Sequence, residues 1–309
     1  MRVSIPAFED WLAQALDPSA PPADRLVMAE IMAGEGVLAP MAGVAEALLA
    51  DPAVAPRARR LQAAIRQFER WGLDTRLDAY ADPAAPMAER ALRTRGVVLA
   101  RRPGATACVV VFLGTASQYL VSLRLLYGLL PADRHLVFLK DPDRRGYLTG
   151  VDAFGSGFAA LKTGVRRLIA RLGAERVDVI GTSSGGFPAL HFALTERARG
   201  LALSPETEVS GLAAVLGAAG IPASQLPEPL DLVALYPGRE APAPVVLAHG
   251  AEHAGDAAMC RRLAGRPGVS IRPVPECDQH DVLGVLLRRG ALQPLLAELL
   301  GPVDECAHP

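Results

Sequence analysis

The chain has almost no net charge. Its 32 Lys and Arg residues and 33 Asp and Glu residues give a formal charge of -1 at pH 7. This balance removes the electrostatic attraction on which binding to nucleic acid or to an anionic membrane depends. Lysine is scarce as well, since Lys140 and Lys162 are the only two, so the abundant arginine indicates a compositional bias rather than phosphate sites. We expect a small molecule as the partner.

Paired cysteines are also missing. The cysteines lie far apart, without the C-x-x-C spacing of a zinc ribbon or the density of a disulfide framework. They are Cys108, Cys260, Cys277 and Cys306. The first residues include Glu9 and Asp10 instead of the basic start and apolar run of a secretory signal. We therefore expect reduced thiols and a cytoplasmic protein.

Long apolar runs without interruption are absent too. The two longest uncharged stretches, 103–123 and 209–227, are broken by glycine, proline, serine or glutamine. A membrane-spanning helix needs about 20 consecutive apolar residues, so these stretches predict buried core and loops rather than membrane spans.

The first part of the chain has the apolar spacing of helices. Leu12 and Leu16 lie four residues apart, and similar pairs recur up to about residue 71. Prolines at several points, including Asp17-Pro18 and Asp51-Pro52, divide this part into about four short helices. We predict a helical N-terminal region over 1–75, a surface on which a protein partner could dock, and a connector over 76–95.

After residue 95, apolar runs with strand character alternate with helical ones, which predicts an α/β domain over 96–309. Continuous apolar strands separated by helices are typical of a buried, mostly parallel sheet with helices on both faces. The segment 205–242 is rich in proline, glycine and alanine and lies between two strands, so we expect a cap over a pocket. The expected strands are 96–100, 107–113, 135–139, 176–180, 200–203, 244–248 and 269–274. The expected helices are 117–130, 157–172, 185–196, 209–219, 256–263 and 281–300.

The strongest local signal is the run Gly181-Thr182-Ser183-Ser184-Gly185, a G-x-S-x-G sequence between a strand and a helix. A nucleophile elbow requires small residues on both sides of its serine, because the strained turn leaves no room for side chains there. Gly186 would let the helix pack close to the sheet. Ser183 is therefore the candidate nucleophile, and the alternative is a plain turn built from glycines.

On these residues the chain resembles the α/β-hydrolase family, whose catalytic residues follow the chain order serine, acid, histidine. The resemblance covers roughly residues 107–300 and implies the fold of that family. The strings GTSSGGF and LALSP are also similar to α/β-hydrolase-like proteins of bacterial surface-polysaccharide and glycosyltransferase systems.

The resemblance implies a general base and an acid in the C-terminal part. The family keeps its histidine in the loop after the last strand, which here is His280. The acid follows the preceding strand, but His253 occupies the commonest position of that aspartate. Asp256 and Glu252 remain, and Asp256 is favoured because a short, rigid side chain orients imidazole better. The alternative for Asp256 is an N-cap role for the helix that follows.

The resemblance also implies an oxyanion hole. One backbone N–H would come from Ser184, which follows the nucleophile. The second would come from the loop after the strand 107–113, where Thr115 and Ala116 are the candidates by position.

These residues predict a serine esterase that transfers an acyl group to water without a metal or organic cofactor. An acyltransferase acting on a sugar hydroxyl is the alternative within enzymes, and a non-catalytic binding protein is the alternative outside them. The run 249–253 matches the zinc-binding pattern H-x-x-E-H, but a strand leads into it and Gly250 interrupts it. Since that pattern binds zinc only on a helix, we expect no metal there.

Overall fold

The structure is a computed structural model that describes residues 8–34, 37–70, 92–94, 96–102, 104–114, 126, 129–131, 133–141, 143–236 and 243–301. The chain divides into two compact units: Met1–Ala88 with Ala116–Leu130, and Glu89–Thr115 with Pro131–Pro309. Within the described ranges, no helix has the length and apolar character needed to cross a membrane.

The described part of the first unit contains the predicted N-terminal helices. Pro22 occupies the first position of its helix, where the missing N–H of proline leaves no hydrogen bond unmade. Leu26, Met41 and Leu61 are fully buried between the helices, as their spacing on one face of each helix predicts. The helices are α1 (Phe8–Leu16), α2 (Pro22–Gly34), α3 (Leu38–Ala47) and α4 (Ala55–Arg70).

Within the residues that the structure describes, the second unit is built on an eight-stranded sheet. Its strands are β1 (Leu92–Thr94), β2 (Val97–Ala100), β3 (Ala107–Phe112), β4 (Arg134–Leu139), β7 (Arg176–Thr182), β8 (Arg199–Leu203), β9 (Val245–Gly250) and β10 (Val269–Val274). They lie in the order β1-β2-β4-β3-β7-β8-β9-β10. Strand β2 runs antiparallel to both of its neighbours, and the strands from β4 to β10 in this order run parallel. A separate hairpin consists of β5 (Gly150–Val151) and β6 (Gly155–Ser156).

Helices cover this sheet and bury its central strands on both faces. Val110 and Val179 join one core cluster with Phe158 and Phe187, while neighbours such as Val111, whose side chains point the other way, are equally buried. The mostly parallel α/β class is therefore confirmed. The helices of this unit are α5 (Phe158–Leu172), α6 (Gly186–Glu196), α7 (Ser210–Ala218), α8 (Ala254–Arg261), α9 (Val282–Arg288) and α10 (Leu292–Leu300).

Three predicted segments differ from the structure. The single helix expected over 281–300 is wrong, because Gly290 adopts a φ of 66° and ends α9. The Ala291 N–H then donates to Leu286 O at 2.8 Å, which is the hydrogen bond of a Schellman motif. The helix expected from 256 starts two residues earlier. The connector expected over 76–95 contains β1, and its residues 76–91 and 95 lie outside the described part.

Two further expectations fall partly on residues that are not described. The helix expected over 117–130 lies almost entirely outside the described residues. In the segment 205–242, the structure describes the chain up to residue 236, with α7 and two short 3-10 turns, Ala223–Gln225 and Leu232–Leu235. Its role as a cap stays a prediction.

Candidate active site

Ser183 lies at the carboxyl end of β7, in a sharp turn that leads directly into α6. Its φ of 50° is in the left-handed region, which is strained for a residue with a side chain and is maintained only by the surrounding structure. A Cβ on Gly185 would lie 2.2 Å from the Phe112 carbonyl oxygen, and one on Gly181 would lie 2.5 Å from the Gly185 carbonyl oxygen. Both glycines are therefore required by close backbone contacts, as the G-x-S-x-G sequence predicts.

The structure brings Ser183, His280 and Asp256 into one hydrogen-bonded series. His280 lies in the loop between β10 and α9, and its Nε2 is 2.7 Å from Ser183 Oγ. On the other side of the ring, Nδ1 is 2.9 Å from Asp256 Oδ1 and 3.0 Å from Oδ2. With Nδ1 protonated, the ring donates to the carboxylate and leaves Nε2 free to accept the hydroxyl proton of Ser183.

Asp256 lies in the first turn of α8. The alternative prediction from the sequence, that Asp256 is the N-cap of this helix, is wrong. The N-cap is His253, whose Nδ1 accepts the backbone N–H of Asp256 at 3.1 Å. Because Asp256 is not needed as the cap, its carboxylate faces His280. The same carboxylate lies 3.2 Å from His253 Nδ1.

Glu252, the other candidate acid, makes different contacts. Its carboxylate accepts the backbone N–H of Glu276 at 3.1 Å and that of Cys277. These bonds join the loop after β9 to the loop after β10, which carries His280. Glu252 thus fixes the relative position of the two loops.

Three carboxylates act on His280. The hydrogen bond to Asp256 raises the pKa of His280 against the opposing effect of burial, and the charges of Asp281 and Glu206 add to the rise. Burial raises the pKa of Asp256, but the hydrogen bond with His280, the nearby Ser204 hydroxyl and the charge of His280 together outweigh it, so this pKa is lowered overall. At neutral pH the pair therefore consists of an ionised Asp256 and an imidazole of increased basicity.

The expected oxyanion hole is described only in part. Ser184 directly follows Ser183 in the turn, whereas Thr115 and Ala116 lie outside the described residues. The two residues before them already use their N–H groups: Leu113 donates to Leu139 O at 3.1 Å, and Gly114 donates to Thr182 Oγ1 at 2.7 Å. A Cβ on Gly114 would lie 2.9 Å from Ser183 Cβ, so this loop passes directly beside the candidate nucleophile.

Two residues that follow β8, Ser204 and Glu206, are not part of the site predicted from the sequence. Ser204 is buried and has a φ of 47°, and the half-buried Glu206 interacts electrostatically with His280. The signal was available, because β8 lies between β7 and β9 and its carboxyl end must meet the same edge of the sheet.

The H-x-x-E-H run does not form a helical zinc motif. His249 lies in β9 in a buried position, and His253 caps the helix that follows. Within the described chain, the ligand atoms of His253, Asp256 and His280 lie within 4.8 Å of one another. Asp256 and His280 are already paired in this group, so the serine-histidine-aspartate series accounts for its closeness.

No protein-family model and no curated protein matches the chain. Among solved structures, the S-formylglutathione hydrolase of Agrobacterium tumefaciens is 14% identical, with 66% of this chain and 90% of that chain covered and a TM-score of 0.47. A proline iminopeptidase-related protein of Thermus thermophilus is 17% identical, with 66% and 92% covered and a TM-score of 0.45. The bottromycin epimerase BotH is 20% identical, with 66% and 94% covered and a TM-score of 0.41.

These similarities carry no conclusion about the reaction of this chain, because one fold supports many activities. The fold follows from the molecule itself. A mostly parallel sheet, with a serine turn between a central strand and the next helix, is the arrangement expected from the sequence, and the structure adds the antiparallel strand β2. The second unit has the α/β-hydrolase fold.

Proposed function

We propose that the protein is a serine hydrolase that cleaves a carboxylic ester by transferring the acyl group to water. The observation that carries this proposal is the continuous series of hydrogen bonds from Ser183 Oγ through His280 to Asp256. A nucleophile, a base and a group that orients the base are the parts that acyl transfer by a serine requires.

In the first half of the reaction, Ser183 Oγ attacks the ester carbonyl carbon while His280 Nε2 takes the hydroxyl proton. The tetrahedral oxyanion accepts a hydrogen bond from the Ser184 N–H and a second one from the N–H of Thr115 or Ala116, the donors that the sequence resemblance implies. The carbon–oxygen bond to the leaving group then breaks, and His280 gives its proton to the departing alkoxide.

In the second half, water attacks the acyl-serine ester. His280 takes one proton from this water and returns it to Ser183 Oγ as the acid is released. Throughout both halves, Asp256 stabilises the imidazolium and keeps Nδ1 protonated. The chemistry uses the side chains and backbone of this chain, with no step that calls for a metal or an organic cofactor. We also propose that the reaction takes place in the cytoplasm, because the cysteines of the sequence lack the spacing of a disulfide framework.

Labelling with a fluorophosphonate tests this proposal without knowledge of the substrate. Stoichiometric labelling is expected, with peptide mapping to Ser183. The variant Ser183→Ala should lose the label, whereas Ser156→Ala, at an exposed position of β6, should keep it. A well-folded protein that does not label would exclude an activated serine and favour a binding role for the fold.

A further inference from the structure

Glu206 is the charged residue closest in the chain to the carboxyl end of β8, and it lies beside the candidate site. Strand β8 lies between β7, which carries Ser183, and β9, which precedes Asp256. A Cβ on Gly186 would lie 2.5 Å from Pro205 Cβ and 3.6 Å from the backbone nitrogen of Glu206. The segment 205–206 is therefore packed against the start of α6, directly after the serine turn.

The Glu206 side chain interacts with His280 but makes no hydrogen bond or ion pair with any residue that the structure describes. The two groups interact through their charges, and partial burial raises the pKa of Glu206. Glu208, two residues further on, differs in this respect, because its Oε1 accepts the Ser210 N–H at 2.6 Å. Thus one carboxylate of this segment is used within the protein, while the other has no partner among the described residues and acts on His280 through its charge.

We propose that Glu206 binds a hydroxyl group of the ester's leaving alcohol, so that the substrates are acyl esters of polyols such as sugars. This inference rests on the proposed function. A half-buried carboxylate without a donor is a strong acceptor for a hydroxyl group, since the hydrogen bond restores part of the lost hydration. In that position it would orient the leaving oxygen toward His280 Nε2, which must protonate it.

The charges of the site favour a neutral alcohol over other leaving groups. Asp256, Asp281 and Glu206 all act on His280, so an anionic leaving group would be repelled. A cationic leaving group would be attracted to Glu206, but it would oppose the positive charge that His280 acquires on taking the Ser183 proton. A hydroxyl group avoids both penalties.

The test compares esters that differ in one group. Hydroxyethyl acetate and propyl acetate have nearly the same shape, and a hydroxyl in the first replaces a methyl in the second. Wild-type protein is expected to have a higher kcat/KM for the hydroxyl ester. Because a hydrogen bond to a charged group contributes about 1.5–3 kcal/mol, Glu206→Ala should reduce this preference roughly 10-fold or more.

Two variants serve as comparisons. Glu206→Gln keeps an acceptor oxygen without the charge, so it should retain part of the preference for the hydroxyl ester and more of it than Glu206→Ala does. Glu208→Gln removes the same charge two residues away, keeps the acceptor for Ser210, and should leave the preference unchanged. Any effect of Glu206 on the basicity of His280 changes both esters equally and cancels in the ratio.

The outcomes separate this inference from the proposed function. Failure of the wild-type protein to react with fluorophosphonate overturns both. If the protein labels normally, three results overturn the inference alone. They are no preference between the two esters, a preference that Glu206→Ala leaves unchanged, and cleavage of neither ester. Glu206→Ala could instead lower kcat/KM for acetylcholine more than for dimethylbutyl acetate, with no change in kcat/KM for the hydroxyl ester. That result would mean that Glu206 binds a cation.

Discussion

The imidazole of His253 caps the helix that carries Asp256: its Nδ1 accepts the Asp256 backbone N–H at 3.1 Å. His253 occupies the position at which α/β-hydrolases most commonly have their catalytic acid. Here it supports Asp256, whose carboxylate lies against His280. A cap at this point fixes the first turn of α8 and, through it, the direction of the Asp256 carboxylate.

Replacement of His253 by alanine should therefore have two effects. Loss of the cap should lower the free energy of unfolding by about 1 kcal/mol, and a less ordered Asp256 should lower kcat without a matching rise in KM. His253→Asn retains a capping side chain and should restore most of the stability. Urea denaturation and steady-state kinetics measure the two effects. Equal stability of the alanine variant and wild type would show that the cap contributes nothing.

The raised pKa of His280 predicts the acid side of the pH profile. His280 must be neutral to take the Ser183 proton, so kcat/KM should fall as the pH drops through a pKa above the ordinary 6.5. Asp256→Asn removes the main cause of the rise. Its profile should therefore move to lower pH, while kcat falls by roughly 10⁴-fold. An unshifted profile in Asp256→Asn would mean that another group controls this limb.

A buried ion cluster lies at the edge of the sheet opposite the candidate active site. We expect this cluster to determine stability rather than activity. Asp178 of β7 is fully buried and accepts hydrogen bonds from Arg134 Nη1 at 2.5 Å and Arg199 Nε at 2.6 Å. Arg134 also donates to the Leu300 carbonyl oxygen at 2.6 Å, which connects the end of α10 to the sheet.

Removal of the Asp178 carboxylate takes away the buried anion that Arg134 and Arg199 share. Asp178→Ala should lower the free energy of unfolding by about 3–5 kcal/mol, while the folded fraction keeps its rate of fluorophosphonate labelling. Glu298→Ala is the matched control, because Glu298 pairs with Arg272 where both side chains are about half exposed. An exposed pair contributes no more than about 1 kcal/mol. Similar losses in both variants would contradict a special role for burial.

The candidate active site and the buried ion cluster differ in how far the sequence could predict them. The turn at Ser183 could be predicted because its requirements are local: two glycines flank the serine, and a strand and a helix flank the glycines. The end of α9 at Gly290 was also a local signal, and a glycine followed by a second apolar run should have indicated two helices.

Other features depend on residues that are distant in the chain. The pairing of Asp178 with Arg134 and Arg199 arises only when parallel strands meet, so periodicity does not reveal it. The preference for Asp256 over Glu252 rested on side-chain length. The structure adds the reason why Glu252 is engaged elsewhere: Glu276 and Cys277 present their N–H groups to it only when β9 and β10 pair.

The close packing of the serine turn predicts an asymmetry between two glycine-to-alanine variants. In Gly185→Ala the new methyl group would lie 2.2 Å from the Phe112 carbonyl oxygen, so β3 and the serine turn must separate. Overpacking of this kind costs about 1–3 kcal/mol, and displacement of Ser183 from His280 Nε2 should abolish labelling.

In Gly211→Ala the methyl group meets no atom within 4 Å, and α7 should gain up to about 1 kcal/mol from the better helix former. Thermal unfolding and labelling of both variants measure the difference. If Gly185→Ala labelled at the wild-type rate, the turn would not require glycine at this position, and the contact with Phe112 would be unimportant for the geometry of the nucleophile.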